Sequence, residues 1–283
     1  MGDPVSIDTP REPFRGGEVE LLADADRPGG WLLLVDRIRQ SYVDLDDPTY
    51  LDFEYVQAFA DVLDLLPAGP LAVTHIGGGA CTLARYVAVT RPRSPQIVLE
   101  PDAGLTEIVR RRLPFPRAAR IRVRPVGGRD GVAALADASA DVVVLDAFHG
   151  GRVPGELSSV EFVTDVARVL RPDGVFLANL ADGPPLRYAR RLVATVRTAL
   201  PAVALRADAA VFRRRRFGNL VLAASRAALP IAELRRVAAG SMFPQRVLSG
   251  NELDAFAGDA APVTDADPMR SPVPPDEIWR VSG

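Results

Sequence analysis

The sequence predicts an α/β protein built on one parallel, doubly wound sheet. Short solid apolar runs at 71–76, 96–99, 142–145 and 175–180 alternate with stretches of helical period, as strands buried on both faces do. The first three of these runs end in residues suited to ligands: Gly77-Gly78-Gly79, Glu100 and Asp146. Two last runs, near 203–206 and 219–223, flank Arg213-Arg214-Arg215-Arg216 and read as an antiparallel hairpin at the sheet edge.

Taken in order, residues 1–17 hold Pro4, Pro10, Pro13 and Gly16-Gly17 without apolar periodicity, which predicts a flexible leader. Residues 18–48 carry three β-like stretches around a Pro28-Gly29-Gly30 turn and predict a small antiparallel β-region. Pro48 opens a helix expected from about Tyr50 to Leu66, with Phe53, Val56, Phe59, Ala60 and Leu63 on one face. Strand, turn and helix then repeat. Helices are expected at 81–90, 104–113, 131–135, 158–170 and 186–199, with a strand at 121–125 among those named above. This order predicts a Rossmann-like, methyltransferase-type seven-stranded sheet over 49–244. Residues 245–283, rich in Pro, Asp and Ala with scattered anchors such as Trp279, predict an irregular C-terminal tail.

Composition excludes several classes of function. The 283 residues are 48% apolar and 25% charged, with 34 basic and 36 acidic side chains and a net charge of −2. No global field recruits nucleic acid or anionic lipid, and no apolar run approaches the roughly 20 residues of a membrane span. A lone Cys81 and two histidines, His75 and His149, leave no basis for a disulfide framework or a His/Cys metal cluster, so no metal is expected. The N-terminus lacks signal-peptide character, which predicts a cytoplasmic protein. Every basic residue is arginine, so Arg213 to Arg216 reads as a solvated hairpin tip before it reads as a phosphate site.

Ligands of open α/β sheets sit at the carboxyl ends of the strands. Gly77, Gly78 and Gly79 let backbone approach a ligand, although a glycine turn also serves an ordinary strand-to-helix loop. Glu100 stands where an acid accepts both hydroxyls of a ribose, and with the glycine turn it predicts a nucleoside site. Asp130 is placed either to meet an adenine or to cap the helix after it. Asp146 faces the reacting end of such a ligand or is a turn aspartate. His75 reads as a core histidine, Cys81 as packing behind the loop, and Asp182 as a turn residue that could line the acceptor side. Gly150, Gly151 and Gly155 predict a mobile lid over 149–157.

The blocks Ile76-Gly77-Gly78-Gly79, Leu99-Glu100-Pro101-Asp102 and Asp141 to Asp146 resemble the spermidine synthase (polyamine aminopropyltransferase) family. Leu34-Val35-Asp36 with Gln40, the acidic stretch 44–47 and Tyr50 are similar to that family upstream, as are Pro154, Leu157, Glu161-Phe162 and 170–174 downstream. The resemblance implies a transferase of polyamine biosynthesis that moves an aminopropyl group from decarboxylated S-adenosylmethionine to a small-molecule amine such as putrescine, in a homodimer. It implies Glu100, Asp130 and Gln40 around the donor, Asp146 as general base with Tyr50 beside it, and His149 and Asp182 toward the acceptor. Three features depart from the family pattern, one being an N-terminal β-region that is shorter than usual and lacks an earlier family glutamine. Ala80 stands where the family has an aspartate for the donor's ammonium, and His149 stands where it has one for the polyamine. Use of intact S-adenosylmethionine for methyl or aminocarboxypropyl transfer, or a non-catalytic nucleoside-binding homologue, are the other functions this pattern allows.

Overall fold

A computed structural model describes residues 11–275; Trp279 and the first ten residues of the expected leader lie outside it. Four strands, β1 (Glu12–Phe14), β2 (Gly17–Ala23), β3 (Gly30–Val35) and β4 (Ile38–Asp44), form an antiparallel sheet in that order. The expected leader therefore already contains a strand: β1 pairs with β2 through Glu12↔Val19 and Phe14↔Gly17.

Helix α1 (Glu54–Leu65) starts four residues later than the apolar pattern predicts. Asp47 is the cause. Its Oδ1 accepts from the backbone N–H and the hydroxyl of Thr49, and its carbonyl accepts from Tyr50 N–H, so 47–50 are a closed turn competing with helix.

The repeating part runs β5 (Val73–Ile76), α2 (Thr82–Thr90), β6 (Gln96–Leu99), α3 (Ala103–Arg112), β7 (Ile121–Arg124), α4 (Gly128–Ala133), β8 (Ala140–Leu145) and, after a 3₁₀ turn at Gly155–Leu157, α5 (Val160–Val169). Then follow β9 (Leu170–Asp182), α6 (Arg187–Arg197), β10 (Ala202–Asp208), the short α7 (Ala209–Phe212) and β11 (Gly218–Ser225). The chain ends its described part with α8 (Ile231–Gly240), β12 (Gln245–Ser249) and α9 (Gly250–Ala257).

The large sheet has the order β12-β10-β11-β9-β8-β5-β6-β7. Strands β7, β6, β5, β8 and β9 are parallel neighbours, and β11, β10 and β12 join antiparallel. This is the predicted α/β fold with one strand more. Residues 245–257 are not irregular: Gln245 to Ser249 pair with Asp208 to Ala204, so β12 rather than the hairpin is the sheet edge. The arginine run follows α7 and is exposed, as a solvated tip should be.

Both faces of the sheet are covered, which is why the strands are written as apolar runs. Val143, Leu145, Phe176, Ala178 and Leu180 pack on α4, α5, α6 and α9, while Val142, Val144, Val175 and Leu177 pack on α1, α2 and α8. The small sheet uses a third cluster, in which Val19, Leu21, Leu33 and Val43 meet Leu105, Ile108 and Val109 of α3 and Ala80 of the glycine turn. That contact fixes β4 against the loop after β5.

Candidate active site

The direction of strand succession reverses between β5 and β8, and the chain ends there bring the glycine turn and Asp146 together. Asp146 N–H donates to the Ile76 carbonyl at 2.9 Å. A Cβ on Gly77 would lie 2.2 Å from the Asp146 carbonyl oxygen, and Gly77 has φ +97°, so this position requires glycine on both counts. Gly78 N–H donates to Glu100 Oε2 at 2.9 Å, and Asp102 N–H donates to Glu100 Oε1 at 3.0 Å. Glu100 thus lies along the turn with backbone donors on both oxygens, Gly79 N–H adding to those of Gly78 and Asp102, and lone pairs to spare. Burial pushes its carboxyl above the usual range, against the pull of those donors.

Asp146 sits in a polar chain that the sequence did not reveal. Tyr55 in the first turn of α1 donates its hydroxyl to Oδ2 at 3.1 Å. Asn179 in β9 donates its amide to Oδ1 at 2.9 Å and accepts from Asn219 of β11 at 3.1 Å. Desolvation raises the Asp146 pKa to about 6 in spite of both donors. The Tyr55 phenol is pushed well above its ordinary value, first by burial and then by the Asp146 charge, so it remains a donor. A polar residue inside the apolar run Val175-Phe176-Leu177-Ala178-Asn179-Leu180 was the available signal for Asn179. Tyr55 was hidden by the mistaken helix start.

Tyr50 is therefore not the tyrosine bonded to Asp146. It lies under the Arg27 guanidinium, 3.8 Å from its ring centroid, and edge-on to Tyr42 at 5.6 Å. The nearby acidic stretch is also structural: Asp44 is buried, pairs with Arg27 at 2.7 Å and accepts from Asp46 and Asp47 N–H. Gln40 is the extra residue of a β-bulge between the pairs Leu33↔Ser41 and Leu34↔Arg39. Its neighbour Ser41 makes the contact with the glycine turn, accepting Ala80 N–H at 3.1 Å.

Three other expected positions lie as follows. Asp130 is exposed on the first turn of α4, which starts at Gly128 with Gly127 before it, so Asp130 is not its cap. Asp182 is buried and satisfied within the chain: Oδ1 accepts Gly183 N–H at 2.8 Å and Oδ2 accepts Ala189 N–H at 2.9 Å, which anchors the start of α6. At 2% exposure, and with Tyr188 N–H as a further donor, the Asp182 carboxylate is enclosed by its own chain. His149 is exposed and forms a backbone bridge with Arg152. The segment after it is tied down, since Arg152 Nε donates to the Ser271 carbonyl at 2.6 Å and Val153 N–H to Ser271 Oγ at 2.8 Å.

Two remaining groups behave as core. His75 meets Gln96 at 2.9 Å, and burial lowers its pKa to about 4, so it stays neutral. Burial pushes the Cys81 thiol up to about 12, which leaves no thiolate. Among the described residues no group of three or more His, Cys, Asp or Glu is arranged around a common metal position, and no helix is long and apolar enough to cross a membrane.

A crevice of about 40 Å³ is lined by Gly77, Gly78, Ser41, Tyr42, Tyr55 and Asp146. A second cavity of about 330 Å³ shares Phe53 and Tyr55 with it and has Asn219 in its wall. Tyr55 and the asparagine chain thus connect two spaces, one on the glycine turn and one beyond it.

The chain is similar in sequence and fold to known proteins. No family model matches the chain. A polyamine aminopropyltransferase of Chromobacterium violaceum is 28% identical over 145 residues, 51% of this chain and 55% of that one; the match spans about half the length of that curated relative. A spermidine synthase solved with the transition-state analogue AdoDATO shares the fold, with 17% identity, a TM-score of 0.56, and coverage of 89% of this chain and 83% of that one. A probable spermidine synthase from Corynebacterium glutamicum superposes with a TM-score of 0.84 and 30% identity over 91% of this chain and 96% of that chain. Identity at that level along almost the whole of both chains, on a shared fold, is a relation of descent, and the chain belongs to the spermidine synthase family as a divergent member.

Proposed function

We propose that the protein transfers an aminopropyl group from decarboxylated S-adenosylmethionine to a small-molecule amine. The observation that carries this is Asp146: a carboxylate with its pKa raised to about 6, held by Tyr55 and Asn179 at the point where strand order reverses. The glycine turn and Glu100 suit the donor's nucleoside. Gly78 offers bare backbone beside Glu100, where a Cβ would come within 3.0 Å of the glutamate Cβ. Glu100 would accept the ribose hydroxyls on the lone pairs that its backbone donors leave. The bulge residue Gln40 remains a candidate for the donor side.

The chemistry follows from charge. An alkylammonium has a pKa near 10.4 and no lone pair with which to attack. Asp146 would hold that cation and then accept a proton from it. Burial brings the carboxylate to about 6, within about four units of the amine, where an unperturbed aspartate would be more than about six units away. The freed nitrogen lone pair forms the new N–C bond, and the C–S bond breaks with its electron pair going to sulfur. The sulfonium becomes a neutral thioether, methylthioadenosine. Tyr55 and Asn179 keep the base aimed during this displacement, a contribution of alignment.

Release of methylthioadenosine from the decarboxylated donor in the presence of amines tests the proposal. Asp146→Asn should lower the rate by about 10²–10⁴, the usual contribution of a general base. Glu100→Ala should weaken methylthioadenosine binding by about 1.5–3 kcal/mol through lost charged hydrogen bonds. A folded Asp146→Asn protein that keeps the full rate would sink the proposal.

A further inference from the structure

Every backbone N–H of the glycine turn, from Gly77 to Cys81, already has an acceptor. Gly77 N–H donates to the Leu99 carbonyl at 3.0 Å, and those of Gly78 and Gly79 go to Glu100. Ala80 N–H goes to Ser41 Oγ at 3.1 Å, and Cys81 N–H to the Gly78 carbonyl at 2.7 Å. The turn itself thus keeps no donor for a ligand, although a ribose lying on it brings lone pairs as well as hydroxyl protons.

The hydroxyls of the crevice wall are mostly spent too. Tyr42 donates to Asp24 at 2.6 Å, Tyr55 to Asp146 at 3.1 Å and Thr82 to the Tyr42 carbonyl at 2.9 Å. Ser41 differs. Its oxygen accepts from Ala80 N–H, but among the described residues nothing accepts its proton. The side chain is 9% exposed and lines the crevice together with Gly77, Gly78 and Asp146. A buried O–H without an acceptor costs free energy until something supplies a lone pair. The backbone builds this position. Ser41 follows the bulge at Gln40 and shares a face of β4 with Val43, which packs in the same cluster as Ala80. A Cβ on Gly79 would lie 2.4 Å from Ser41 Oγ, so the turn is left bare where the serine enters.

Glu100 limits what Ser41 can meet. A carboxylate only accepts, so Glu100 suits the two ribose hydroxyls, both of which can donate. The furanose then has one oxygen left, the ring oxygen, which accepts and has no proton of its own. Resting on the proposed nucleoside site at the turn and Glu100, we infer that Ser41 is a further donor-binding residue whose hydroxyl donates to the ribose ring oxygen. Its lone pair holds the turn and its proton holds the ligand. The small N-terminal sheet thereby contributes a group of its own to the site.

Methylthioadenosine and its carbocyclic analogue, with CH2 in place of the ring oxygen, make the test by calorimetry, without turnover. We expect the unmodified full chain to bind the analogue about tenfold more weakly, the scale of a lost hydrogen bond that leaves a buried donor unpaired. Ser41→Ala should bind the two ligands alike, within about twofold, whereas Ser41→Thr keeps the hydroxyl and should keep the preference. Circular dichroism checks that both variants fold, and the comparison in the unmodified protein stands without them. Equal affinity of the unmodified protein for the two ligands overturns the inference. So does a folded Ser41→Ala that keeps the full ratio, even with both affinities lowered, because the serine would then only support the turn. Failure of the unmodified protein to bind methylthioadenosine at all is a separate result, which overturns the nucleoside site and this inference with it.

Discussion

The raised pKa of Asp146 makes the sharpest prediction, because three named groups set it. Burial moves it up to about 6, and the donors Asn179 and Tyr55 hold it from rising further. A hydrogen bond to a charged group contributes about 1.5–3 kcal/mol. One pKa unit corresponds to about 1.4 kcal/mol, so Tyr55→Phe or Asn179→Ala should each raise Asp146 by about one to two units. The acid limb of kcat/KM, expected near pH 6 in the unmodified protein, should move to about pH 7–8 in either variant. Stability gives a measure that needs no turnover. The folded pKa lies above the ordinary aspartate value of 3.8, so this group's contribution is fully present below about pH 4 and is lost as pH rises through about 6. The loss is about 3 kcal/mol for a shift of about two units. Asp146→Asn cannot titrate, so urea unfolding should show the stability difference between variant and parent changing by about that amount between pH 4 and pH 7. A difference that stays flat, together with an acid limb unmoved in Tyr55→Phe and Asn179→Ala, would refute the assignment of burial and these two donors as the controlling groups.

Three further outcomes follow from the same structure. Asp182→Ala leaves two backbone N–H groups, Gly183 in the turn before α6 and Ala189 in its first turn, without their acceptor and should cost about 1–3 kcal/mol in urea unfolding, with KM unchanged. Ser271→Ala removes the side-chain acceptor of Val153 N–H, so hydrogen exchange should quicken at 150–153 and stay as it was in β5 and β8; uniform exchange would mean that the tether does not hold the loop. Ala80→Asp places a carboxylate in a fully buried apolar cluster and should cost about 3–5 kcal/mol in stability, read by thermal or urea unfolding, without creating a preference between donors.

The core of the fold was legible because its strands are buried on both faces and advertise themselves as apolar runs. Strands β5, β6 and β8 lie within a residue or two of the predicted positions. The errors fall where pattern alone is ambiguous. Strand β12 reads Gln245-Arg246-Val247-Leu248-Ser249, and its only marks are two buried aliphatic residues between polar ones. It becomes a strand because β10 offers an open edge, which is a tertiary fact. Strand β1 is three residues long and is likewise made by its partner.

The candidate site divides along the same line. Glycine turn, Glu100 and Asp146 are fixed by backbone geometry at strand ends, so their positions could be counted from the sequence. The side chains that tune Asp146 come from α1, β9 and β11, and only packing brings them together. One turn at 47–50 decided which tyrosine reaches the base. Ala80 makes the same point for the reading of donor choice. Counting along the glycine loop puts residue 80 at the position of a charge that would face the donor. In the fold its side chain is 0% exposed and packs with Leu105, Ile108 and Val43, and its N–H is held by Ser41. The residue faces the small sheet and not the crevice, so alanine there records how the loop is buttressed and says nothing about which adenosylmethionine the protein takes. Donor choice must be sought among groups that line the crevice, and of the hydroxyls there Tyr42's is given to Asp24, Tyr55's to Asp146 and Thr82's to the Tyr42 carbonyl, while Ser41 Oγ accepts from Ala80 N–H.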